Sequence, residues 1–176
     1  MKKSDCFFCN DIGEERIIME GNDWIAFIPL DPEIFGHCIV TTKHHYEDIT
    51  EIDGKEALDK MSMGVKVMAD KIKSLDDNRI KKVYFAVLGE TERTHMHYHL
   101  FPRYEGKEEL IQLTSEDIKW RNFYNNSTKD FEFSTGFQYL GEIEKNYENM
   151  KESIGRGPSL ELLKEMVNII RGDKND

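Results

Sequence analysis

The segment Thr94-His95-Met96-His97-Tyr98-His99-Leu100-Phe101-Pro102-Arg103 constrains this chain more than any other, because three of its six histidines occupy alternate positions within it. Side chains of a β-strand point alternately to opposite faces. The pattern therefore predicts a half-buried strand with His95, His97 and His99 on one face and Met96, Tyr98 and Leu100 packed behind. Imidazoles two positions apart on a strand are about 6 to 7 Å apart, so a single phosphate can touch more than one of them. A chance histidine-rich strand, or a tag-like metal-affinity cluster, is the plainer alternative. The apolar intervening positions of this internal segment argue against it.

The flanking sequence predicts the rest of a sheet. Arg16 to Glu20, a Gly21-Asn22-Asp23 turn and Trp24 to Ile28 read as a hairpin, ended by Pro29 and Pro32. Cys38 to Thr42 is a further short strand after Gly36-His37, with His44 and His45 in the loop beyond it. From Asp53, placed with Glu56 as a capping-box-like start, Leu58, Met61, Val65, Met68, Ile72 and Leu75 form one stripe of an amphipathic helix ending at Asp76-Asp77-Asn78. Lys82 to Leu88 is the next strand, and the short loop Gly89 to Arg93 makes it an antiparallel neighbour of the histidine strand. Beyond Tyr104 the β-branched runs stop. Phe137, Leu140, Ile143, Tyr147, Met150 and Ile154 recur at helical spacing, with Thr135 and Gln138 as a capping box. A second helix starts near Ser159, carries Leu160, Leu163, Val167 and Ile170, and stops at Gly172. Residues 105–130 give no clear assignment. The expected organisation is a catalytic domain over 1–104 and a mainly helical extension over 105–176, packed on the core or on a second subunit.

A net charge of −10 opposes a basic surface for nucleic acid. An anionic ligand would be held by local chemistry instead. No apolar run approaches the ~18 residues of a membrane span, and none follows Met1-Lys2-Lys3, so a cytoplasmic protein with no membrane partner is expected. The cysteines are Cys6, Cys9 and Cys38. In a reducing compartment the C-x-x-C pair points to metal or redox chemistry, and the redox reading lacks its usual βαβ setting. Small buried hydrophobes are the alternative.

His95-Met96-His97-Tyr98-His99-Leu100-Phe101 resembles the H-φ-H-φ-H-φ-φ signature of the histidine-triad (HIT) family of nucleotide hydrolases and transferases. Cys6-Phe7-Phe8-Cys9, Trp24 to Phe27, Gly36-His37-Cys38-Ile39-Val40 and Lys43-His44-His45 follow in the family's order, so the resemblance covers roughly residues 5–104. It implies an α+β fold with a five-stranded antiparallel sheet and a long covering helix, commonly a homodimer. It also implies cleavage at the α-phosphorus of small nucleotidyl substrates, either dinucleoside polyphosphates or nucleoside phosphoramidates. By resemblance, His97 is the nucleophile that forms a transient nucleotidyl-imidazole, and His99 and His37 surround the transferred phosphoryl group, with His95 the first triad member. The chemistry then needs no cofactor. Transferase branches resemble H-x-H-x-Q, so His99 favours a hydrolase. Cys6, Cys9, His45 and His95 match the ligands of the zinc-bearing bacterial members, a closed set that reads as structural. His44 is left as an exposed loop residue and Cys38 as core.

Two departures bear on the substrate. Pro29 stands where the family usually carries an acid or amide for the ribose hydroxyls, leaving Asp31 as the nearest candidate. The loop before the triad lacks the family's Gly-Gln-Ser pattern, leaving Thr91, Arg93 and Thr94, of which Arg93 is either a bidentate phosphate clamp or a solvated surface residue. A nucleotide-binding or interaction module with little turnover and a nucleotidyltransferase of the same family are the alternatives. A metal-dependent hydrolase using the three histidines is a further one, although no H-E-x-x-H or equivalent accompanies them.

Overall fold

Strands form where the β-branched and aromatic runs lie, and their register sets which residues share a face. The structure, a computed structural model, describes residues 3–52, 55–76, 79–87, 95–105, 113–127 and 135–173. Five strands, β1 (Ile17–Glu20), β2 (Trp24–Phe27), β3 (Cys38–Thr42), β4 (Ile80–Ala86) and β5 (His97–Tyr104), pair antiparallel in the order β1-β2-β3-β5-β4. This is the expected five-stranded sheet. The β1–β2 hairpin and the β4–β5 pairing form as the sequence predicts, with Ile17 opposite Phe27 and Phe85 opposite Leu100. Arg16, expected at the start of β1, instead ends a 3-10 turn over Glu14–Arg16.

Register divides the sheet cleanly. Thr41 lies opposite His97 and Ile39 opposite His99, while Phe27 pairs with Ile39. These residues face one side. Trp24, Ala26, Cys38, Val40 and Leu100 face the other and join the main core, which Met68 and Ile72 of helix α2 (Lys55–Leu75) complete. Of the predicted helix stripe, Met61, Met68 and Ile72 are buried and Val65 and Leu75 are partly so. Each buried side chain contributes about 1.5 to 3 kcal/mol relative to exposure. The Leu58 side chain, Asp53, Asp77, Asn78, Leu88 and the loop Gly89 to Arg93 lie outside the described features. A Cβ at Gly64 would lie 2.7 Å from the Trp24 ring, so the helix reaches the sheet only with glycine there.

The C-terminal helices pack on this same core. Helix α4 (Gly136–Ile154) starts at a Thr135 cap whose hydroxyl accepts from the Gln138 N–H, and α5 (Leu160–Arg171) starts at the Ser159 cap and ends at the left-handed Gly172. Ile143, Tyr147, Leu163, Val167 and Ile170 are buried with the sheet residues. Leu160, expected on that stripe, is exposed at the first position of the helix, and Leu162 and Leu163 are the residues of its first turn that enter the core. The segment that sequence left unassigned contains α3 (Ile118–Ser127), whose Trp120 packs against both Tyr124 and Tyr147. A short helix, α1 (Phe7–Asn10), lies on the opposite face of the sheet, where Phe8 and Ile12 bury Phe27 and Ile39.

Candidate active site

The face left open by α2 carries the histidines. His95, His97, His99 and His37 are all buried. Gly36 makes the last of these placements possible. Its φ of +85° belongs to the left-handed region, and a Cβ there would lie 3.1 Å from the Pro102 ring.

The hydrogen bonds among the imidazoles determine where their protons sit. The Glu33 backbone N–H donates to His37 Nδ1 at 3.2 Å, so neutral His37 carries its proton on Nε2 and donates to His99 Nδ1 at 3.0 Å. His99 then holds its proton on Nε2, 3.0 Å from His97 Nε2. From the other end, the His95 carbonyl only accepts, so His97 Nδ1 is the donor at 2.7 Å. Both ends agree. His97 is left with a lone pair on Nε2, held towards the N–H of His99. Burial, and next the neighbouring His99, keep the His37 imidazole well below its ordinary range, which maintains the neutral chain.

His95 belongs to a different cluster. Its Nε2 faces the Thr42 carbonyl at 3.0 Å, so its Nδ1 lone pair faces Cys6 Sγ at 3.4 Å and Cys9 Sγ at 3.5 Å. His45 Nδ1 lies 3.5 Å from Cys9 Sγ, with its Nε2 3.5 Å from Glu47. All four ligand atoms lie within 4.8 Å of one another. Tetrahedral zinc, with Zn–S about 2.3 Å and Zn–N about 2.0 Å, places adjacent S and N atoms about 3.5 Å apart. The three S–N distances above match that edge length. Its outer contacts, a carbonyl behind one imidazole and a carboxylate behind the other, are those that orient metal-bound histidines. Burial, and then His45, push His95 down to about 4, so it stays neutral as a ligand must. The two clusters touch through Phe8, which stacks on His97 at 4.5 Å and meets His95 edge-on at 5.7 Å. His44 is exposed and Cys38 is core.

A cavity of about 260 Å³ opens beside the histidines, with His37 and His99 at one part of its wall and Phe7, Phe27, Ile39 and Arg16 at another. Asp31 and Glu33 also line it. Asp31 is engaged by the C-terminal extension: Tyr147 donates to it at 2.7 Å and Lys151 at 3.1 Å. Tyr124 donates to the adjacent Pro32 carbonyl at 2.7 Å, so α3 and α4 together fasten the loop between β2 and β3. Arg93 and Thr94 lie outside the described residues. Sequence reasoning missed Phe8, Arg16, Glu33 and the Tyr124–Tyr147 clamp. Only Phe8, fixed between two thiols of one C-x-x-C, carried a local signal.

An uncharacterized HIT-like protein of Methanocaldococcus jannaschii is 34% identical over 113 residues, covering 61% of this chain and 86% of that protein. Among solved structures, a hypothetical histidine triad nucleotide-binding protein of Sulfolobus tokodaii superposes with a TM-score of 0.52 at 21% identity, over 85% of this chain and 97% of that one. A Zn-bound histidine triad family protein of Mycobacterium smegmatis does so with a TM-score of 0.50 at 20% identity, over 70% and 92%. At those identities the two structures establish the shared fold. Residues 13–106 match the HIT domain family, and the chain belongs to it.

Proposed function

We propose that this protein is a nucleotidyl hydrolase, cleaving dinucleoside polyphosphates or nucleoside phosphoramidates at the α-phosphorus through a covalent bond to His97 Nε2. Family membership supports nucleotide-binding or hydrolase-type activity in general. The finer reading rests on one observation, the imidazole chain that leaves a lone pair on His97 Nε2, directed at His99, which lines the cavity.

In this mechanism the lone pair forms a P–N bond as the bond to the leaving group breaks. The leaving group departs with the bonding pair and takes a proton from water. The His99 Nε2–H, which faces the lone pair in the free site, turns to a phosphoryl oxygen, and His37 holds His99 in that tautomer. The nucleotidyl-imidazolium keeps its Nδ1–H on the His95 carbonyl. Water then attacks phosphorus, the P–N pair returns to Nε2, and the water's proton passes to solvent. Splitting one displacement into two is the gain of covalent catalysis.

Cys6, Cys9, His45 and His95 would hold a structural zinc that ties the N-terminal segment to the catalytic strand. Four protein ligands leave no open position, so the metal takes no part in the chemistry. That the Mycobacterium smegmatis relative is Zn-bound supports this assignment. Asp31, Arg93 and Thr94 are the proposed substrate contacts beyond the histidines. Exposed Phe85 and Val87 at the outer strand β4, with Met63 on α2, support a homodimer, to be checked by light scattering. His97→Ala should abolish turnover while retaining nucleotide binding, and near-normal turnover in that variant defeats the mechanism. Binding without turnover in the wild type would support the binding-module reading, which the engagement of Asp31 by Tyr147 and Lys151 favours.

A further inference from the structure

Arg16 is a buried cation without a buried anion. It is 3% exposed, and among the described residues no carboxylate pairs with it: Glu15 acts on it only through space. Its guanidinium lies 5.4 Å from the Phe7 ring centroid and 5.7 Å from that of Phe27. Nη1 donates to the Ile28 carbonyl and Nη2 to the Asp11 carbonyl, each at 3.2 Å. A guanidinium has five N–H groups, so two carbonyls leave most of its donor capacity unused. None of its nitrogens is among the sealed, partnerless polar atoms, and the side chain lines the cavity that His37 and His99 also line. Buried charges are ordinarily paired. Here the side chain borders a cavity, and a ligand bound there supplies the missing partner.

The walls restrict what that ligand is. Phe7, Pro29 and Leu30 present apolar surface suited to a planar heterocycle. A phosphoryl group held at the histidines leaves the attached nucleoside to occupy the remainder. An Arg fork donates two parallel hydrogen bonds, the geometry that matches the adjacent O6 and N7 acceptors of guanine. Adenine places an N6 amine at the same position, so donor would meet donor. We infer that Arg16 is a specificity-determining residue that selects a 6-oxopurine nucleotide, guanine or hypoxanthine, over adenine. This rests on the proposed nucleotidyl hydrolase reading of the same cavity.

The test is calorimetric titration of the intact wild-type protein and of Arg16→Met with GMP, IMP and AMP. IMP separates the O6/N7 contact from the 2-amino group of guanine. Good bidentate base contacts discriminate by about fivefold to about 150-fold. Wild type should therefore bind IMP and GMP at least about fivefold more tightly than AMP, and Arg16→Met should bring that ratio close to one. Arg16→Lys, which keeps the charge but not the fork, should fall between them. A role confined to tying the turn to β2 would leave the ratio unmoved. Equal wild-type affinities for IMP and AMP overturn the inference even if neither variant folds, as does a ratio preserved in folded Arg16→Met. If all three nucleotides bind alike, base selection fails while the hydrolase reading stands; if none binds, both fail.

Discussion

Replacing Tyr147 by Phe removes one hydroxyl from α4 and tests whether the C-terminal helices hold the loop between β2 and β3. The hydroxyl donates to Asp31 Oδ1 at 2.7 Å, and burial, with the Asp31 hydrogen bond next, raises the phenol so far that it remains a donor at every usable pH. Hydrogen bonds to charged groups contribute about 1.5 to 3 kcal/mol net. The Asp31 side chain is 48% exposed and keeps Lys151 at 3.1 Å. Water therefore replaces part of what is lost, and the cost should fall to about 1 to 1.5 kcal/mol, most of it from the phenol because exposed ion pairs contribute little. Urea unfolding of Tyr147→Phe, Asp31→Ala and the double variant should give a coupling of about 1 kcal/mol. His97 and His99 sit on β5, whereas Asp31, Glu33 and His37 sit on the fastened loop, so KM should rise with kcat little changed. Additive losses within about 0.3 kcal/mol, together with a wild-type KM, refute the clamp.

Three further outcomes follow from the site. The folded chain keeps His37 neutral, whereas the unfolded chain protonates it near pH 6.5, so the stability it contributes is full above about pH 6.5 and is lost as pH falls below it. The decline approaches about 1.4 kcal/mol per pH unit for this one group, and His37→Gln should flatten it in unfolding experiments between pH 7 and 5; an equally steep variant excludes the assignment. Cys9→Ser should lower bound zinc in protein purified without an affinity tag, and should remove the drop in unfolding midpoint that a strong chelator causes in wild type. Full zinc content in Cys9→Ser tells against the site. Phe8→Leu nearly conserves volume but loses the stack on His97, worth about 0.5 to 1.5 kcal/mol beyond burial. It should reduce kcat more than KM, and wild-type kcat shows that the ring does not position the nucleophile.

Much of this was legible from sequence, for particular reasons. Strict alternation from His95 to Leu100 predicted which side chains share a face, because strand geometry leaves no other choice. The Thr135 and Ser159 caps were readable because side-chain capping is a local interaction. Gly36 before His37 was readable as a motif, although its need for positive φ became evident only beside Pro102. What was not legible depends on long-range contact. Arg16 looked like the first residue of a strand, and only the folded chain shows it buried between Phe7 and Phe27. Likewise Asp31 stood as a loop acid, while its partners, Tyr147 and Lys151, are more than a hundred residues away in sequence. Helix α3 was missed because Trp120, Phe123 and Tyr124 keep helical spacing for little more than one turn, too short a stripe to set a period without the contact to Tyr147.

The decisive measurement is rapid-quench intact-mass analysis of untagged protein mixed with an adenosine or guanosine phosphoramidate in chelator. A nucleotidyl adduct should form and decay within the turnover time, map to His97, and be absent in His97→Ala. Turnover with no adduct in single-turnover experiments, or an adduct that persists in His97→Ala, would show that the Nε2 lone pair prepared by His99 and the His95 carbonyl is not the nucleophile.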